Sequence, residues 1–302
     1  MIKVSVLCSA YNEVENVEEL FKTFDIFNKK QGNEWEIVFV DDGSRDGTYK
    51  KALEVAKGFQ NIKILKHKRN LGKTAGILTA KENSEGDILV IYDADMQYSF
   101  DDCLKLVKRI EEEDYDICTG WKQGKYKKAF ISKIYNFLSR KFFKLPIHDQ
   151  NGLKALKRDV LDAIHLRKDW HRYIVSLAIE KGFSVTEEKV TLYPRKYGES
   201  KYSGSFRIII GLFDLLTVKF LTTFLKKPMI LFGISGGIFI ILGFLTGLTA
   251  FILRFFYGFG FRPLLYLVIL LILSGLLMFI LGFVSELISI IIEDIEELKK
   301  KL

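Results

Sequence analysis

Cysteine is scarce: Cys8, Cys103 and Cys118 lie scattered, with no C-x-x-C pair among them. That argues against a disulfide framework or a cysteine zinc site, and reads as small buried hydrophobes in a reducing compartment. No G-x-G-x-x-G follows the first strand pattern, so the dinucleotide fingerprint is missing. Gly72-Lys73-Thr74 looks like the end of a P-loop, but the earlier glycine of that motif is lacking and it follows the wrong strand. Acids are missing from Trp121 to His148, and from Pro228 to Ser285 the only charges are Arg254 and Arg262. The mean hydropathy of +0.13 therefore averages a charged part and an apolar part and describes neither. The strand pattern begins at Ile2, so no cleaved targeting segment is expected.

What is present is a chain of 302 residues with net charge +8, long enough for one sizeable globular domain and a membrane part. The basic balance suits anionic lipid or a phosphorylated substrate, and no recognisable nucleic-acid module accompanies it. Strand patterns at Val4 to Cys8, Trp35 to Val40, Ile62 to Leu65 and Ile88 to Tyr92 alternate with helical ones. The first helix carries Val17, Leu20, Phe21, Phe24 and Phe27 on one stripe. Such βα alternation predicts right-handed crossovers and a mostly parallel sheet covered by helices. Four polar clusters, Tyr11 to Glu13, Asp41 to Ser44, Asn70 to Lys73 and Asp93 to Gln97, then fall on one sheet edge. Ligands of open α/β sheets bind beyond the carboxyl ends of the strands, which is that edge.

The most informative stretch is Asp87 to Gln97, DILVIYDADMQ. A continuous apolar run suits a parallel strand buried on both faces. It ends in Asp93 and Asp95, one residue apart, with Gln97 as a third oxygen donor. Hard oxygen donors on such a turn suit Mg²⁺ or Mn²⁺ carrying a diphosphate; a solvated turn or a helix cap is the plainer reading of the same pair.

YNE after the first strand, VDDGS after the second, RNLGK after the third and DADMQ after the fourth resemble family 2 glycosyltransferases with a GT-A fold. The likeness is to dolichyl-phosphate mannose synthases and bacterial polyprenyl-phosphate glycosyltransferases, with specific motifs from Met1 to about Lys227. The resemblance implies a Rossmann-like GT-A domain in which Ala10, Tyr11, Asn12, Glu13, Asp41, Asp42, Ser44, Lys73, Asp93 and Ala94 line the nucleotide. It implies that Asp93, Asp95 and Gln97 hold the metal. Helix capping for Tyr11 and Glu13, and turn chemistry for Asp41 and Asp42, are the competing readings.

Asp149-Gln150-Asn151-Gly152-Leu153 resembles a later family segment, with Leu153 where an aromatic is usual. It sets Asp149 beside the donor sugar or an arginine near the diphosphate, if it is not simply a turn acid. His171-Arg172-Tyr173 opens a helix to Lys181 with Gly182 at its C-cap. Arg172 suits phosphate; His171 suits a structural hydrogen bond as well as catalysis. Pro194 to Tyr202 is a Gly/Ser loop with Arg195, Lys196 and Lys201, cations that two converging phosphates need. The resemblance gives Arg195, Ser200 and Lys201 that catalytic role beside Asp95, Asp149 and Arg172; an ordinary charged linker is the alternative.

Trp121 to His148 interleaves lysines and arginines with Phe130, Ile131, Ile134, Phe137, Leu138, Phe142 and Phe143. A basic amphipathic helix on anionic lipid explains both features, and a solvated basic face explains the charge alone. The expected organisation is a cytoplasmic catalytic domain at 1–205, an interfacial helix at 206–227, and spans at about 228–253 and 263–285. An amphipathic tail follows at 286–302. Each uncharged run is long enough to cross about 30 Å of hydrocarbon. Lysines at 226, 227 and 299–301, against Arg254 and Arg262 at the turn, place the catalytic domain and both termini in the cytoplasm by the positive-inside rule. Leu287, Ile291, Ile295 and Leu298 give the tail an apolar stripe for lipid or for another copy of the chain, so a homo-oligomer stays open.

The expected activity is transfer of one sugar from a nucleotide diphosphate sugar to polyprenyl or dolichyl phosphate at the membrane. The resemblance implies inversion at the anomeric carbon. UDP-glucose-type and GDP-mannose donors both fit, and the short two-span hairpin, like that of bacterial glucosyltransferases, leans the donor toward UDP. A processive polysaccharide synthase is the alternative enzyme, but its Q-x-x-R-W motif has no match here: Trp170 sits in Lys168-Asp169-Trp170-His171. A non-catalytic membrane scaffold is the alternative outside enzymes, and intact Asp93, Asp95, Gln97 and Lys201 argue against it.

Overall fold

The computed structural model describes residues 3–123, 129–197, 206–224 and 227–301. Ser200 and Lys201, and with them most of the basic loop, lie outside these residues, as do Lys125, Lys127 and Lys128. The chain divides into two compact units, Met1–Ile209 and Ile210–Leu302.

In the first unit the apolar runs become strands β1 (Val4–Ala10), β2 (Trp35–Asp41), β3 (Ile62–Lys66) and β4 (Ile88–Asp93). They alternate with helices α1 (Val17–Lys30), α2 (Thr48–Ala56) and α3 (Lys73–Glu82). Then come α4 (Phe100–Glu113), β5 (Ile117–Gln123), α5 (Ala129–Phe143), β6 (Lys154–Lys157), α6 (Arg158–Ala163), α7 (Ile174–Glu180) and β7 (Val185–Thr191). The described residues form a seven-stranded sheet in the order β3-β2-β1-β4-β6-β5-β7. β6 runs antiparallel to both β4 and β5, and the other pairings are parallel. Successive strands run outward to β3 on one side of β1, and β4 lies on its other side. That reversal opens a crevice beyond the carboxyl ends of β1 and β4.

The stripe on α1 is buried as its spacing predicts: Val17, Leu20, Phe21, Phe24 and Phe27 all enter the core. Phe27 meets Trp35 edge-on at 4.9 Å, and Tyr92 stacks on Phe100 at 4.9 Å. On the opposite face α3 presses against β1. A Cβ added at Gly76 would stand 2.1 Å from Ser9 Oγ and 2.7 Å from Ser9 Cβ, so only glycine permits this approach. The contact fixes the height of the α3 N-terminus, and hence of Lys73, over the strand ends. At the far edge Arg158 donates to the carbonyl oxygens of Lys81, Ser84 and Gly86, tying the end of α3 to β6.

The stretch at 171–181 starts as a 3-10 turn at Trp170–Tyr173 and becomes α-helical only at Ile174. Gly182 follows it at φ +92°, the left-handed conformation that ends helices. In α5, Ser139 and Phe143 are buried while Phe137, Arg140 and Lys141 face out, so an aromatic and two cations share the exposed side.

In the second unit α8 (Phe206–Phe224) crosses the division between the units, and α9 (Pro228–Phe256) pairs with α10 (Arg262–Lys301). α9 and the stretch Arg262–Ile292 are long and apolar enough to cross a membrane, and only 11% of each most apolar window is buried. The helices approach through glycine: a Cβ at Gly236 would lie 2.8 Å from Gly275 O. Helix α9 ends at Phe256 and α10 starts at Arg262, leaving 257–261 between them. The tail expected at 286–302 continues the same helix through to Lys301. No glycine or proline interrupts 283–301, and Glu286, in mid-helix, accepts the Met229 N–H at 3.2 Å in the first turn of α9.

Candidate active site

The strand-end loops supply the candidate residues. Asn12, at φ +53°, donates its N–H to Ser44 Oγ at 2.8 Å, and its side-chain oxygen accepts from Arg45 N at 2.8 Å. Asp42 N donates to Ala10 O at 2.8 Å. These bonds hold the loops after β1 and β2 side by side, bringing Ala10, Asn12, Asp41 and Ser44 together as expected.

The two aspartates after β2 part company. Asp42 is engaged by the protein: Oδ1 accepts from Leu71 N at 2.8 Å and lies 2.7 Å from His67 Nδ1, and Oδ2 accepts from Gly72 N at 2.8 Å. His67 Nε2 in turn lies 3.0 Å from Thr79 Oγ1. Asp42 therefore shapes the loop that leads into α3. Asp41 is fully buried, and its Oδ2 accepts from Ser44 N at 3.3 Å. Its Oδ1 is buried with no partner, and a buried unsatisfied acceptor is costly unless a ligand completes it.

The turn after β4 is held by Tyr92, whose hydroxyl donates to Tyr98 O at 2.5 Å, and passes through Met96 at φ +55°. Ala94 is buried within it. Each acid of the pair carries a cationic side chain: Lys73 on Asp93, and Arg195 Nη2 on Asp95 Oδ2 at 2.5 Å. Desolvation pushes the Asp93 carboxyl up, but Lys73, Lys154 and Lys122 outweigh it and leave it below its usual value. Desolvation first and the Asp93 charge second push Asp95 up to about 6, against the pull of Arg195.

Arg195 also approaches Glu13 Oε1 at 3.5 Å and so bridges the loops after β1 and β4. Glu13 Oε2 accepts from Asn16 at 2.6 Å and Glu13 N donates to Thr48 Oγ1 at 2.9 Å, which gives this residue the capping duties of the plainer reading as well. Gln97 bonds the segment after β7 twice: Tyr193 N donates to the Gln97 backbone oxygen at 2.9 Å, and the Gln97 side-chain Nε2 donates to Tyr193 O at 3.2 Å. The described half of the basic loop thus lies along the acid pair.

The donor set suits a hard divalent ion in part. Asp93 and Asp95 are oxygen donors whose negative charge already draws two cations. Among the described residues no cluster of three or more His, Cys, Asp or Glu forms. Two carboxylates with ligand oxygens completing the shell is how Mg²⁺-type ions sit on diphosphates.

On the other side of β4, Asp149 is buried, accepts from Asn151 N at 2.9 Å and pairs with Lys122 Nζ at 3.2 Å. Arg172 has no hydrogen-bond or ion-pair partner among the described residues. Burial, with Lys73, Arg172 and Lys154 nearby, drives His171 well below its usual value, so the imidazole is neutral and bonds Thr74 Oγ1 at 3.0 Å. Two lysines escape sequence reasoning. Lys122 is hidden within a basic stretch, and Lys154 sits in a strand of four residues whose pattern gives no sign that it is buried. Burial, with repulsion from Lys73 and Lys122 partly offset by Asp149 and Asp93, lowers Lys154 to about 7.

A mostly parallel sheet with paired acids and cations at its switch point defines a GT-A glycosyltransferase. Residues 5–165 match glycosyl transferase family 2, and the chain belongs to that family. It is 27% identical over 307 residues to the dodecaprenyl-phosphate galacturonate synthase of Rhizobium johnstonii, covering 95% of this chain and 88% of the relative. It is 30% identical over 262 residues to the undecaprenyl-phosphate 4-deoxy-4-formamido-L-arabinose transferase of Klebsiella pneumoniae, covering 85% and 78%. Among solved structures, glucosyl-3-phosphoglycerate synthase of Mycobacterium tuberculosis with Mn²⁺ and UDP superposes with a TM-score of 0.56 at 15% identity, covering 71% of this chain and 80% of that one. A mannosyltransferase of Pyrobaculum calidifontis with GDP-Man and Mn²⁺ gives 0.54 at 22% identity, covering 72% and 63%.

Proposed function

We propose that this glycosyltransferase moves one sugar from a nucleotide diphosphate sugar to the phosphate of a polyprenol at a membrane face. The carrying observation is the juxtaposition, at one sheet edge, of the buried orphan oxygen of Asp41 with the cation-bearing pair Asp93 and Asp95. An orphan carboxylate oxygen asks for an N–H donor. Uracil N3–H and guanine N1–H are ring donors on the pairing edge, whereas cytosine and adenine present an acceptor at that ring nitrogen and donate only through an exocyclic amino group. Asp41 would hold the base, with Ala10, Tyr11, Asn12, Glu13, Ser44 and Ala94 lining the nucleotide and Asp42 shaping the loop beside it. Both polyprenyl-phosphate relatives match this chain over most of their length, which supports the acceptor class.

Mg²⁺ or Mn²⁺ on Asp93 and Asp95, with Gln97 beside them, would neutralise the departing diphosphate. Lys73 and Arg195 are the cations that this chain offers to the same oxygens. Arg172, with Ser200 and Lys201 of the basic loop, would orient the acceptor phosphate, and Asp149 the donor sugar. An acceptor oxygen attacks the anomeric carbon, the bond from that carbon to the β-phosphate oxygen breaks, and the nucleoside diphosphate leaves with the electron pair. The acceptor is already an anion near neutral pH, so no side chain has to remove a proton, and holding two anions together supplies much of the rate. The pairing of α9 with α10 supports a membrane hairpin, and the lysines outside it support a cytoplasmic catalytic domain and cytoplasmic termini.

Mass spectrometry of the lipid product formed by the purified chain from polyprenyl phosphate tests this. A single added sugar is expected; a ladder of sugars would favour a processive synthase, and an unmodified lipid with an intact donor would sink the assignment.

A further inference from the structure

Lys154 is a buried lysine of the site that forms no ion pair among the described residues. It opens β6 opposite Ile91 of β4 and Thr119 of β5, two residues from the end of β4 where Asp93 stands. Its side chain is 95% buried by residue exposure of 5%, and its ammonium makes one hydrogen bond, to Gly152 O at 3.0 Å. Among the described residues no carboxylate lies within ion-pair distance, because Asp149 is taken by Lys122 and Asp93 by Lys73. Two further buried polar atoms nearby in sequence and register, Thr119 Oγ1 and Asn151 Oδ1, also have no partner. A buried ammonium with unused protons is costly, and proteins retain one chiefly where an anion completes it. Thr119, opposite Lys154 in register, and Asn151, three residues before it, add two further oxygens able to bond hydroxyl groups of a ligand.

We propose that Lys154, with Thr119 and Asn151, forms a subsite that binds an oxyanion of the donor: either a phosphate oxygen or the carboxylate of an acidic sugar. This rests on the glycosyltransferase reading of the same edge and assigns the buried lysine to an anionic group of the donor. Lys154 then works as a binding residue whose burial is justified only with ligand present. Its removal stabilises the free protein and weakens the complex, the reverse of what a structural ion pair would do.

The test compares the full chain in detergent with Lys154→Met, a substitution of similar length without charge. Titration calorimetry with Mn²⁺ measures UDP, GDP, UDP-glucose, GDP-mannose and UDP-galacturonate, and thermal unfolding is read without ligand. The expected result is a higher Tm for Lys154→Met together with affinity reduced about tenfold or more, the size of a lost hydrogen bond to a charged group. Loss on the bare nucleotide assigns the phosphate; loss confined to UDP-galacturonate assigns the sugar carboxylate. Equal affinities for every ligand overturn the subsite and leave Lys154 with buried water. A lower Tm with an equal loss on all ligands also overturns it and makes Lys154 a structural residue. Failure of the wild-type chain to bind any of these nucleotides overturns instead the reading on which the subsite rests.

Discussion

Asp41→Asn offers a sharp perturbation of nucleotide recognition. In the fold the carboxylate is fully buried, one oxygen held by Ser44 N at 3.3 Å and the other without a partner. When a base donates its N–H to that free oxygen, the bond is charge-assisted and worth about 1.5–3 kcal/mol, against about 1 kcal/mol for a neutral pair. Asn keeps an oxygen but removes the charge, so uridine or guanosine diphosphate should bind roughly two- to thirtyfold more weakly, at about 1.4 kcal/mol per factor of ten. The amide also brings N–H donors, which cytosine N3 or adenine N1 can accept. Preference for UDP over CDP, or GDP over ADP, should therefore shrink from both sides. Competition binding of the four diphosphates to both proteins reads the ratio directly. If the wild-type chain shows no preference, or if Asp41→Asn leaves the preference intact, the base does not meet Asp41.

Other perturbations separate fold from function. Gly76→Ala would drive a methyl group into Ser9; overpacking of about 1–3 kcal/mol outweighs the roughly 1 kcal/mol of helix propensity gained, so thermal unfolding should move down by a few degrees. Ser9→Gly in the same chain should restore it. Arg172→Ala removes a guanidinium with no partner among the described residues, so Tm should hold while transfer falls about tenfold or more, the cost of a lost charged contact. Lys154, lowered to about 7 by burial, binds its proton less tightly folded than unfolded. Between pH 7 and 10 the unfolded chain holds more protons, so stability of the ligand-free protein should rise with pH, and Lys154→Met should flatten that rise in denaturant titrations.

Most of the fold was legible because hydrophobic pattern and punctuation agreed. Apolar runs closing on polar turns marked β1 to β4, and the buried stripe on α1 follows its spacing. The strands β5, β6 and β7 were not anticipated: β6 is short and inserted antiparallel between β4 and β5, and no local pattern announces a strand that pairs so far from its neighbours in sequence. The bond from Met229 N to Glu286 was not legible, because it depends on α9 arriving against α10 and is invisible in one segment. In the site, motif spacing brought Asp41, Asp93 and Asp95 to one edge. It did not separate the free oxygen of Asp41 from the engaged ones of Asp42, because that depends on Leu71, Gly72 and His67 arriving from another loop. Lys154 was hidden for the same reason, its burial being set by β4 and β5 on either side.

The central claim is tested most directly by transfer of radiolabelled sugar to polyprenyl phosphate in detergent with Mn²⁺. UDP-glucose, UDP-GlcNAc, UDP-galactose, UDP-galacturonate and GDP-mannose are supplied separately, with Asp95→Ala in parallel. The account predicts label in the lipid phase from one donor and its loss in Asp95→Ala. Label from a donor that persists undiminished in Asp95→Ala, or label in no lipid product while nucleotide still binds, would contradict it.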